Sequence, residues 1–82
     1  MDDTQKQNFE LICTIIAEEM DVNAADIDED TTLADDLDMN RDNIRQVLIA
    51  CEMEFDIHYE SEDYEDIRTV GDILASLNVW GD

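Results

Sequence analysis

Three segments of this chain repeat apolar residues at three- and four-residue spacing, and no proline interrupts them. That spacing places the apolar side chains on one face of an α-helix. In the first segment the stripe is Phe9, Ile12, Cys13, Ile16 and Met20. Thr4 or Asp3 can cap it, so a first helix is predicted to run to about Met20. In the second, Ile44, Val47, Leu48, Cys51 and Phe55 form the stripe, in a helix starting near Asn40 or Asp42 and ending about Phe55. Both are good cap residues, and acidic charge is favourable at that end. Ile49 falls off the stripe, on the outward side with Asp42, Arg45, Glu52 and Met53.

Ser61 can cap a short third helix through about Asp66. Thr69-Val70-Gly71-Asp72 resembles a capping box with Asp in place of Glu or Gln. It opens a fourth helix carrying Val70, Ile73, Leu74 and Leu77. Residues 21–40 lack a helical period. A loop of that length is unusual in a small domain and needs anchoring, for which Val22, Ile27, Leu33 and Leu37 are the candidates. Residues 78–82 read as a frayed tail, with Trp80 a late core contact or an exposed side chain. The expected architecture is all-α: one domain over residues 1–82, a small four-helix bundle with a long first loop and a short third helix.

Charge bounds the function. The chain has 82 residues and a net charge of −20, with 24 acidic residues against 4 basic. It lacks the cations that neutralise phosphates in nucleic-acid binding, and it is a poor match for anionic membranes. Partners are expected to carry basic docking patches, and their binding should weaken with salt. Like-charge repulsion within the fold should be relieved by salt or divalent cations. Hydrophobic residues make up 44% of the chain, which is too many for a disordered acidic tail. So short a chain buries only about 60–65% of its unfolded surface, giving a thin core. No apolar run approaches the roughly 20 residues of a membrane span. The acidic start Met1-Asp2-Asp3 is unlike a signal peptide. A cytoplasmic monomer is the expectation.

Several residues invite other chemistry. Asp26-Ile27-Asp28-Glu29-Asp30 begins like a calcium loop, but Thr31 stands where glycine is needed and Leu37 where the closing Glu is needed. Cys13 and Cys51 fall on inward stripes and read as buried free thiols, with an oxidised bridge between the first two helices as the alternative. His58 lies in a loop among acids and has no nucleophile or orienting group to work with. No carboxylate pair falls in an apolar pocket of the kind that tunes acid–base catalysis. An enzyme is not expected.

Three segments together resemble the acyl carrier protein family, over roughly residues 9–77. Asp21-Val22, Ile27, Leu33 and Asp36-Leu37 are similar to the family's long loop. Ala50-Cys51-Glu52-Met53-Glu54-Phe55-Asp56-Ile57 is similar to the end of its second helix, and Ile67-Arg68-Thr69-Val70-Gly71-Asp72 to the entry of its fourth. The family attaches phosphopantetheine to the serine of an Asp-Ser-Leu motif at the start of the second helix. Counting back from Phe55, this chain has Asn40-Arg41-Asp42 there, and Asp38 replaces the preceding glycine. Arginine has no hydroxyl to form the phosphodiester. The only serines are Ser61 and Ser76, and Thr31 and Thr32 sit in mid-loop.

The resemblance therefore implies a carrier-type fold with no covalent phosphopantetheine expected. Arg41 marks either drift after loss of the modification or a specialised contact with acids. In the family the outward face of the second helix docks on enzymes. This implies a partner-binding face of Asp38, Arg41, Asp42, Arg45, Ile49, Glu52 and Met53, recognised by synthases or transferases of a fatty-acid, polyketide or peptide pathway. One alternative is a carrier-related protein that binds substrate noncovalently. Another, from a different class, is an acidic decoy that mimics nucleic acid.

Overall fold

The amphipathic stripes become four helices in a computed structural model, which describes residues 3–80, with side chains through residue 77. Helix α1 spans Asp3–Met20, α2 Arg41–Phe55, α3 Ser61–Asp66 and α4 Val70–Trp80. Ile12, Cys13 and Ile16 of α1 meet Val47, Leu48 and Cys51 of α2, and Val70, Ile73, Leu74 and Leu77 of α4 complete the core. Phe9, Met20, Ile44 and Phe55 pack partly buried around it. Burying each large aliphatic side chain contributes roughly 1.5–3 kcal/mol, so these stripes supply most of the driving force.

The helix ends follow local chemistry. The Asn40 side chain accepts from the Asn43 amide at 2.8 Å, and the Asn43 side chain accepts from the Asn40 amide at 3.1 Å. This reciprocal pair makes Asn40 the cap and Arg41 the first residue of α2. Thr69 and Asp72 form the expected box: the Asp72 amide donates to Thr69 Oγ1 at 3.1 Å, and Asp72 Oδ2 accepts from the Thr69 amide at 3.1 Å. Asp56 closes α2 with a left-handed backbone, φ 55°, a conformation aspartate tolerates better than most residues.

The structure differs from the sequence reading in several places. Glu60, not Ser61, is the N-cap of α3; Ser61 is the first helical residue, because the Asp63 carboxylate accepts the Glu60 amide at 2.8 Å and sets the start one residue earlier. Val22 is no core anchor but 38% exposed. Met39, left out of the sequence pattern, is buried. Finally, α4 continues through the expected tail to Trp80; the side chain of Trp80 and residues 81–82 lie outside the described residues.

The long loop is held by backbone bonds to the entry of α4. The Leu33 amide donates to the Arg68 carbonyl at 2.9 Å, the Val70 amide to Thr31 at 3.1 Å, and the Gly71 amide to Glu29 at 2.9 Å. Thr32 and Thr69 form an isolated antiparallel bridge. Ile27 and Leu33 are buried, and Leu37 packs partly buried against the core. A single 3-10 turn at Ala24–Asp26 adds local order that the sequence reading did not contain. This tether fixes residues 31–39, and with them the approach to Arg41.

Candidate functional site

Arg41 opens α2 at the point where the loop delivers Met39 into the core. Just before it, Asp38 turns the chain through a left-handed backbone, φ 54°. Arg41, Asp42 and Arg45 are exposed, Ile49 is partly buried, and Met53 is 81% exposed. At 3.6 residues per turn these side chains share one side of α2, away from the buried stripe of Val47, Leu48 and Cys51.

Glu52 sits on the same side but is held inward. Its Oε2 accepts from the Tyr59 amide at 2.7 Å and lies 3.3 Å from His58 Nδ1. It therefore secures the loop between α2 and α3. His58 itself is exposed, with Nε2 3.8 Å from Glu60 Oε1. These His58 contacts become ion pairs only when the imidazole carries a second proton.

Where α2 faces α3, the two helices and the residues before α2 enclose a groove of about 490 Å³. Met39, Ile44 and Tyr64 provide its apolar lining, Arg41 and Arg45 stand along α2, and Glu65 faces from α3. Burial raises the Tyr64 hydroxyl pKa and Glu52 raises it further, while the positive charge of Arg45 opposes both. A smaller notch of about 200 Å³ lies on the other side of α2, against Ile15, Glu18 and Glu19 of α1. The groove was not legible in sequence, because it depends on where Tyr64 of α3 lands beside α2.

The remaining candidates are structural in their contacts. Asp28 Oδ1 accepts from the Asp30 amide at 2.9 Å and from Thr31 Oγ1 at 3.1 Å, so this acid builds a turn. Among the described residues no cluster of three ligating side chains could hold a metal ion. Cys13 and Cys51 are both buried and free. Burial lifts their thiols to about 11 and about 12, which keeps them protonated and unreactive at neutral pH. Among the described residues no helix is long and apolar enough to cross a membrane.

Comparison with known proteins gives a consistent picture. No family model matches the chain. It is similar to the acyl carrier protein of Clostridium acetobutylicum, with 33% identity over 66 residues, covering 80% of this chain and 86% of that protein. It is also similar to the acyl carrier protein of Chlamydia caviae, with 28% identity over 64 residues, covering 78% and 83%. A solved acyl carrier protein structure from Enterococcus faecalis has the same fold, with a TM-score of 0.75 and 23% identity over 89% of this chain and 92% of that one. These relatives are carriers by name, not enzymes. From these likenesses and its four-helix architecture, the chain belongs to the acyl carrier protein family.

Proposed function

We propose that this protein is a carrier-type docking module that bears no covalent phosphopantetheine. It works in the cytoplasm, within a fatty-acid, polyketide or peptide pathway, and meets partners that carry basic patches. The observation that carries this reading is Arg41, the exposed first residue of α2. Counting back from Phe55, this is the position that the resemblance equates with the family's attachment serine, and a guanidinium does not fit the group, having no hydroxyl to esterify. Nearby hydroxyls are poor substitutes. Thr31 is buried and bonded to Asp28, Thr32 Oγ1 accepts from the Asp36 amide at 3.0 Å, and the Ser76 hydroxyl is engaged with Tyr59 and Ile73. Ser61 begins α3 rather than α2.

The docking role draws on the outward side of α2, where Arg41, Asp42, Arg45 and Met53 are exposed, Ile49 is partly open, and Asp38 stands just ahead. The net charge of −20 favours fast, salt-sensitive encounter with basic surfaces. The test is to incubate the pure protein and its Arg41→Ser variant with coenzyme A and a broad-specificity phosphopantetheinyl transferase, and to record intact masses. The expected result is no gain for the native chain and a gain for the variant. A gain for the native chain would overturn the reading.

A further inference from the structure

The notch between α1 and α2 combines an apolar floor with an acidic rim. Ile15 of α1 and Val47 and Ala50 of α2 make the floor, and the exposed side chains of Glu18, Glu19 and Gln46 complete the lining. None of the chain's 4 basic residues lines it. Asn43 Nδ2 donates to Glu19 Oε2 at 3.4 Å across the two helices, which orients that carboxylate. Among the described residues no cation pairs with Glu18 or Glu19. Leu11 lies one turn ahead of Ile15 on α1; at 38% exposed it extends the apolar strip to the surface. An apolar floor beside two carboxylates is the complement of a long cationic side chain, which buries its methylenes and keeps its charge at a polar rim.

We infer that this notch is a socket for one arginine side chain of a partner protein. The methylene stem lies on Ile15, Val47 and Ala50, and the guanidinium meets Glu18 and Glu19. The notch's volume of about 200 Å³ falls below the roughly 300 Å³ at which small-molecule sites begin, so it suits a side chain rather than a metabolite. Arginine fits better than lysine. Its fork of donors can meet two carboxylates and the Gln46 amide oxygen together, whereas an ammonium is a compact point charge. A second copy of this chain is a poor occupant, because it brings another net charge of −20 and repels the first. Position favours a docking partner as well. Gln46 and Ala50 directly follow Arg45 and Ile49, about 100° around α2, so a protein seated on the outward side of the helix has the socket within reach.

This inference rests on the reading that partners carry basic patches, and it names one contact such a patch makes. The experiment is an NMR titration of the isotope-labelled full chain at physiological salt. The probe is a short alanine-based helical peptide with one central arginine. Matched peptides carry lysine, or citrulline as the uncharged isostere, at that position. Saturable shifts centred on Ile15, Glu18, Gln46 and Ala50 are expected with the arginine peptide. The citrulline peptide should bind roughly tenfold more weakly, given the strength of charge-assisted hydrogen bonds, and the lysine peptide less tightly than the arginine one. A Glu18→Gln, Glu19→Gln variant should lose a similar factor; the amide replacing Glu19 still accepts from Asn43, so the fold is kept. Neutralising two acids on α3 instead, in a Glu62→Gln, Asp66→Asn variant, should change affinity by no more than about twofold, since charges far from the socket are screened. Equal binding of the citrulline or lysine peptide, no loss in the Glu18, Glu19 variant, or an equal loss in the α3 variant overturns the socket alone. Shifts centred on Arg41, Arg45 and Met53, with none at the notch, overturn the socket and leave the docking face standing. No saturable shift at either place overturns both.

Discussion

Glu52 Oε2 accepts the Tyr59 amide at 2.7 Å, joining the last turns of α2 to the start of the segment that leads into α3. Glu52→Ala removes this hydrogen bond to a charged acceptor and should cost about 1.5–3 kcal/mol of stability. Met53, one residue on and 81% exposed, is the cleaner probe of docking. Met53→Ala should change stability by no more than about 0.5 kcal/mol while weakening partner capture. Urea midpoints and partner affinities of the two variants separate these roles. A stable Glu52→Ala protein would contradict the assignment of Glu52 to the fold.

The loop tether makes a second prediction. A Cβ at Gly71 would lie 3.0 Å from the Glu29 carbonyl oxygen, the acceptor of the Gly71 amide. The branched side chain of Gly71→Val would push the loop off α4. A loss of about 2 kcal/mol is expected from overpacking, with faster hydrogen exchange at the amides of Leu33, Val70 and Gly71. Unchanged exchange at these three amides would mean that the tether does not hold the loop.

Much of this fold is legible in the sequence, and the parts that are not share a physical cause. Ile12, Val47 and Ile73 announce their helices because a 3.6-residue period needs only neighbours within two turns. The Asn40 and Thr69 caps are legible for the same reason. The burial of Met39 and the exposure of Val22 are not legible locally, because burial of a loop residue depends on where the loop is tethered, here by the pairing of Leu33 with Arg68 far along the chain. Glu60 displaced Ser61 as a cap because the Asp63 carboxylate, three residues on, receives its amide. Of the candidate site, the outward side of α2 is legible from spacing, and the docking role given to it comes from the family resemblance. The inward commitment of Glu52 and the groove shared with Tyr64 depend on the placement of α3, which no local pattern encodes.

The buried thiols carry a pH dependence. Burial raises Cys13 to about 11 and Cys51 to about 12, from an ordinary value of 9.0. The folded state therefore favours the protonated, neutral thiols. Their contribution to stability is fully present below pH 9.0 and is lost as the pH rises through the folded values. Urea midpoints should fall between pH 9.0 and about 12, and less steeply in a Cys51→Ala variant. Iodoacetamide should modify both cysteines only after unfolding. Rapid alkylation of the native protein at neutral pH would contradict the buried placement.

The most direct measurement of the central claim is the intact mass of this protein purified from the cells that make it. The expected result is a mass explained by amino acids alone, with no phosphopantetheine and no thioester-linked cargo. A mass increased by one phosphopantetheine group would contradict it and would show that a residue other than Arg41 serves as the attachment point.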